Sequence, residues 1–100
     1  MAMLTWDQFL TPVLRVLSDG EVWRRKDVRN QVQNNEGVTD AERKELMSSG
    51  ERRVVNRVNW AISYLGRVGA IESPQRAMWQ ITDLGRELLH THPEGMTKKE

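Results

Sequence analysis

Arg52, Arg53, Asn56, Arg57, Trp60 and Tyr64 recur through the stretch SSGERRVVNRVNWAISYLGRV, residues 48–68, at spacings of one, three and four residues. Such spacings gather side chains on one side of a helix. Arginine and asparagine carry the paired donors and acceptors that match purine edges in a duplex major groove, and guanidinium groups also hold phosphates. An aromatic ring can touch a base methyl group or stack on an extruded base. Arg52 and Arg53 fall in the first turn of that helix, where unpaired amides already present partial positive charge. Two cations there are unfavourable unless an anion such as a DNA phosphate docks at the same end, where amides and arginines both point at it. Trp60 and Tyr64 have two readings: contact with a base, or packing beneath the first helix or a neighbouring hairpin.

Further cations lie outside this stretch. Arg76 sits in a short segment between two β-type runs, where it can enter a minor groove or hold a phosphate. Arg24, Arg25 and Lys26 precede a helix and suit backbone phosphates, which give affinity rather than sequence choice. Solvated charge is the alternative reading for these three. Catalysis finds little support. His90 and His92, two residues apart near a helix end, suit a favourable dipole contact better than a metal site, because no cysteine or carboxylate cluster accompanies them. No histidine is paired with a nucleophile and there is no glycine-rich phosphate loop. No catalytic residue, metal site or cofactor is therefore assigned.

The chain that must position these residues has 100 residues, 38% of them hydrophobic and 29% charged. A domain of this size buries roughly two-thirds of its unfolded surface around one core. No apolar run spans a bilayer and no signal peptide is present, and the lack of cysteine excludes disulfides and thiolate metal sites, which suits a reducing cytoplasmic setting. The net charge is only +1. Its distribution is uneven, with four cations against one acid over residues 23–30 and five against two over residues 51–81. Folding that joins those segments would make a basic face on a nearly neutral molecule.

Helical spacing of Trp6, Phe9, Leu10, Val13, Leu14 and Leu17 predicts a first helix over about 6–17, with Thr5 and Gln8 as a capping box. Pro12 inside it requires either a bend or a later start. SDG at 18–20 ends that segment, EVW at 21–23 reads as a short strand, and a second helix follows over about 25–34 with Val28 and Val32 inward. Thr39 and Glu42 cap a brief helix through about Leu46. The long helix then begins with a third box, Ser48 with Glu51, and Gly69 ends it in a left-handed turn. At about 100° per residue, Val54, Val55, Val58, Ala61, Ile62 and Leu65 form its core side. AIES and MWQIT make a hairpin with its tip at Pro74–Ala77, and Thr82 and Asp83 open a last helix that buries Leu84, Leu88 and Leu89. Residues 94–100 read as a polar flexible tail.

That order is α+β, mainly α, and fits a winged helix-turn-helix: a three-helix core, a small β-hairpin wing and a C-terminal helix. The second and the long helix would form the helix-turn-helix, with an unusually long connection. The same architecture also serves protein-binding modules. The alternatives are therefore a stand-alone transcriptional regulator, or an interaction and dimerisation module using the aromatic stripe.

Several motifs carry a family resemblance: NRVNWA at 56–61, YL at 64–65 followed by GAIESP, an arginine at the wing, and WQITDLGRELL at 79–89. With the opening TWDQFLTPVLRVLSDGEVWRRKDVRNQV, they cover about residues 4–93. This run resembles the N-terminal domain of Mrr-type restriction proteins. The resemblance implies a DNA-binding winged-helix domain over residues 1–93, joined in the longer protein to a nuclease domain that cuts DNA bearing modified bases. The acidic pair and lysine of that nuclease have no counterpart here, so an enzyme is not expected from this chain by itself. The implied partner is duplex DNA, including DNA with modified bases, without a membrane and with a homodimer open in the full-length protein. Ala77 departs from the pattern, where a glycine is expected after the wing arginine.

Overall fold

The computed structural model describes residues 6–92. The Thr5–Gln8 box, the domain boundary at 93 and the expected tail lie outside them. A 3-10 turn at Asp7–Phe9 leads into α1 (Leu10–Leu17), followed by β1 (Trp23–Arg24), α2 (Arg25–Asn35) and α3 (Asp40–Lys44). The long α4 (Arg53–Val68), β2 (Ile71–Glu72), β3 (Met78–Ile81) and α5 (Asp83–Thr91) follow among the described residues. Helix predominates, and the three strands form one antiparallel sheet in the order β1-β3-β2, an arrangement compatible with the expected architecture.

Pro12 is reconciled by the later start. It lies in the first turn of α1, where a missing N–H removes no intrahelical bond. Helix α1 is the hub of the core: Leu10, Val13, Leu14 and Leu17 are fully buried. Against it pack Val28 and Val32 of α2, Val54, Val58, Ala61, Ile62 and Leu65 of α4, and Ala70, Ile71 and Ile81 beyond. Val55 is only partly buried and lies against the edge of that cluster.

The connection from α2 to α4 holds both a confirmation and a correction. The Thr39 box forms as expected, with Glu42 N donating to Thr39 Oγ1 and Thr39 N donating to Glu42 Oε1. These bonds hold the Glu42 carboxyl below its ordinary pKa, the backbone bond contributing most. Helix α3 stops at Lys44 instead of running to Leu46, and Leu46 pairs with Arg52 in an isolated antiparallel bridge. The Ser48–Glu51 box is absent. Met47 N donates to Glu51 O and Gly50 N to Met47 O, so the backbone of this turn pairs with itself. Helix α4 accordingly starts at Arg53, whose amide donates to Glu45 O, with Arg52 in extended conformation as its N-cap.

At its other end α4 closes as expected. Gly69 adopts φ +85°, Ala70 N donates to Leu65 O and Gly69 N to Gly66 O, the paired bonds of a left-handed helix stop. Thr82 then locks the next elements onto this end: its hydroxyl donates to Gly69 O at 2.6 Å and accepts from Gly85 N at the start of α5. Gly85 is buried directly on the Ala70 carbonyl and Ile81, so closely that a Cβ there would overlap both. This contact sets the inward direction of α5. Leu88 and Leu89 lie within about 60° of Gly85 around the helix and pack on the core, whereas Leu84 is turned about 100° away. Leu84, expected to be buried, is therefore 41% exposed.

Replacing Gly85 by alanine is expected to lower stability by about 1–3 kcal/mol through overpacking, although the same change in an exposed helix adds about 1 kcal/mol. The urea midpoint reads the sign directly. A rise would show that α5 does not depend on its seat against Ala70.

Candidate nucleic-acid interface

Helix α4 has two faces of opposite character. Its aliphatic face is sealed in the core, and its other face carries Arg53, Asn56, Arg57, Trp60, Ser63, Tyr64 and Arg67. Trp60 stands out with 53% of its surface exposed. Tyr64 is half-buried, its ring 5.5 Å from that of Trp6 at an interplanar angle of 60°. Trp60 thus faces outward while Tyr64 leans on the start of the chain.

Two clefts flank Trp60. One, of about 230 Å³, is lined by Trp6, Trp60, Tyr64 and Arg67. The other, more open and about 260 Å³, is lined by Asn56, Asn59, Trp60, Ser63 and Arg67. Trp60 forms the ridge between them and Arg67 borders both. Asn59, Ser63 and Arg67 were legible as part of the non-core side of the helix, but nothing in their spacing singled them out. Trp6 was legible only as a core residue of the first helix, since its meeting with Tyr64 is a tertiary contact.

The arginines at the start of α4 find part of their counter-charge inside the molecule. Arg53 Nε lies 2.8 Å from Glu45 Oε1, an ion-pair contact rather than an aligned hydrogen bond. Both side chains remain substantially exposed, so the pair is worth about 0–1 kcal/mol. Asn56 Nδ2 donates to Glu51 Oε2, which fixes its amide and leaves Oδ1 for another donor. Arg52 is exposed at the helix cap.

The second basic segment meets the hairpin. Arg24 is paired with Met78, Trp23 with Trp79, and Arg25 N donates to Ala77 O at 2.8 Å. Arg24 and Arg25 therefore sit beside the tip of the hairpin that carries Arg76, and Lys26 lies exposed in the same first turn of α2. The Arg25 guanidinium stacks over the Trp79 ring, 5.6 Å from its centroid. Burial, with Arg29 adding repulsion, lowers the Arg25 pKa from its usual value. Trp79 in turn lies on Gly66 of α4, where a Cβ would come within 2.9 Å of the indole. Helix α4, the hairpin and the start of α2 are thereby joined through one ring.

Ala77 takes the left-handed conformation at φ +62°, alone in this among the non-glycine residues described. The position where the family pattern calls for glycine is thus one where the backbone calls for it too.

Residues 6–91 match the profile of the Mrr N-terminal domain. The chain is 34% identical over 101 residues to the type IV methyl-directed restriction enzyme EcoKMrr of Escherichia coli strain K12, a match covering 100% of this chain and 33% of that protein. The chain spans about a third of the length of that curated relative. No solved structure matches significantly.

An Ala77→Gly change is expected to raise stability by up to about 1.5 kcal/mol. That is the left-handed cost to an L-residue, about 1–2 kcal/mol, less the extra unfolded-state entropy of glycine, about 0.4–1 kcal/mol. Denaturant unfolding checks it. A lower midpoint would mean that the hairpin tip relaxes its strain at another residue.

Proposed function

The chain belongs to the Mrr N-terminal domain family, and from that membership we propose that it is a winged-helix domain that binds duplex DNA. The exposed face of α4 carries the proposal. A helix that buries one whole side in the core keeps arginines, an asparagine and a half-exposed tryptophan together on the other, with Trp60 at 53% exposure. Such a face has the donors of a major-groove reader. In this reading α2 and α4 form the helix-turn-helix, α3 lies within their connection, and residues 73–77 are the wing.

The roles follow from position. Arg57 and Asn56 read base edges from the middle of α4. Arg52 and Arg53 hold phosphate at its start, where a backbone phosphate takes the place of the exposed Glu45 carboxylate beside Arg53. Arg76 on the wing, with Arg24, Arg25 and Lys26 behind it, follows the neighbouring backbone. The related restriction enzyme is methyl-directed by name. The substrate proposed here is accordingly duplex DNA with methylated bases, recognised by this domain on behalf of a nuclease elsewhere in a longer protein.

Phosphate contacts by about five of these six side chains predict a slope near −4 to −5 for log affinity against log salt. Titrating identical methylated and unmethylated duplexes at two salt concentrations, with fluorescence anisotropy as readout, measures both that slope and the preference for modification. Arg57→Ala is expected to cost about 1–3 kcal/mol and to alter base preference, while Arg24→Ala weakens all sequences alike. Arg24 is a better phosphate reporter than Arg25, whose loss would also unstack Trp79. Binding that ignores salt would overturn the proposal, and equal losses on every sequence would remove Arg57 from base reading.

A further inference from the structure

We propose that the cleft between Trp6, Trp60, Tyr64 and Arg67 receives a single nucleobase lifted out of the stack, an inference that rests on the DNA-binding reading of the same helix face. Three of its four lining residues are aromatic, and its volume of about 230 Å³ suits one ring system with its first waters. The walls are prepared in advance. Tyr64 is held by Trp6, tilted at 60°, and both pack against the buried core. Trp60 supplies the outer wall as a free-standing indole with 53% exposure. Ordering that wall against a planar ligand costs little, because an indole has few rotatable bonds.

The charge at the cleft decides among occupants. An aromatic box ordinarily suits an alkylammonium group. Here Arg67 borders the box, and among the described residues no acid pairs with it. A cationic side chain would be repelled, whereas a base brings a phosphate that a guanidinium can hold. The position agrees. At about 100° per residue Trp60 lies in angle between Asn56 and Arg57, the proposed edge readers. The cleft therefore opens on the face turned to the duplex. A paired base inside the helix cannot reach such walls, so occupancy requires extrusion, which is easiest where pairing is already weak. The more polar cleft across Trp60, lined by Asn56, Asn59 and Ser63, remains for the adjoining backbone or base edge.

The test compares three labelled duplexes of otherwise identical sequence with the 100-residue chain: fully paired, with one bulged adenine, and with the same bulge made abasic. The two bulges distort the backbone alike and differ in the base. The bulged adenine is expected to bind roughly 5- to 150-fold tighter than the abasic bulge, the range set by one base–aromatic stack. Trp60→Ala should bring that ratio close to one and Trp60→Phe should keep part of it, with thermal melting confirming that both variants fold. Equal affinity for the two bulges, or a preference that survives Trp60→Ala, would overturn the cleft while leaving duplex binding intact. Failure of all three duplexes to bind would overturn the DNA-binding reading and the cleft with it.

Discussion

The candidate interface depends on the seat of the Trp79 ring on Gly66. A glycine inside a long helix costs about 1 kcal/mol relative to alanine, and here it leaves the space into which the indole fits. The same ring is covered by the Arg25 guanidinium and stands opposite Trp23 across the β1–β3 pairing. One side chain therefore touches the long helix, the hairpin and the start of α2 at once. The shared core of α1, α2 and α4 and the β1–β3 pairing already hold these elements together, and the ring adds a direct link between the two basic segments. The segments belong to one scaffold, which is what binding without a large ordering cost requires.

Electrostatics at the start of α4 add a second constraint. Arginines in a first turn oppose the helix dipole, and the fold answers with its own carboxylates, Glu45 beside Arg53 and Glu51 beside Asn56. Both contacts are exposed, so they orient the side chains without binding them tightly. A DNA phosphate, with the same single charge as a carboxylate, would meet the amides at the helix start as well as the Arg53 guanidinium. The acids thus keep the face ordered in the free protein while remaining weak enough to be displaced.

Much of this was legible in the sequence, and the gaps share a cause. Element order, the Thr39–Glu42 cap, the Gly69 stop and the core side of α4 follow from period and from side chains bonding to nearby backbone, which are local. The Ser48–Glu51 box failed because residues 46–52 pair with their own backbone, a choice that local capping signals do not encode. Leu84 was misread because the inward direction of α5 is set by Gly85 against Ala70, a contact between elements. The candidate site divides the same way. Asn56, Arg57 and Trp60 can be placed on one face by counting residues, but Trp6 reaches Tyr64 only through the packing of the chain's start onto α4.

Among the exposed large hydrophobic residues described, Trp60 is the one aromatic, and core packing does not account for its position. Large apolar side chains left in water forgo about 1.5–3 kcal/mol of burial, and the core beside it is already complete, with Val58, Ala61 and Ile62 fully buried. Neighbouring positions on the same helix show what the fold does with an aromatic it needs: Tyr64, one turn on, is tilted against Trp6. Trp60 has no such partner role in the packing and instead divides two clefts. A ring that is kept out of the core, flanked by hydrogen-bonding groups and bordered by an arginine, has the surroundings that the proposed base-binding cleft requires.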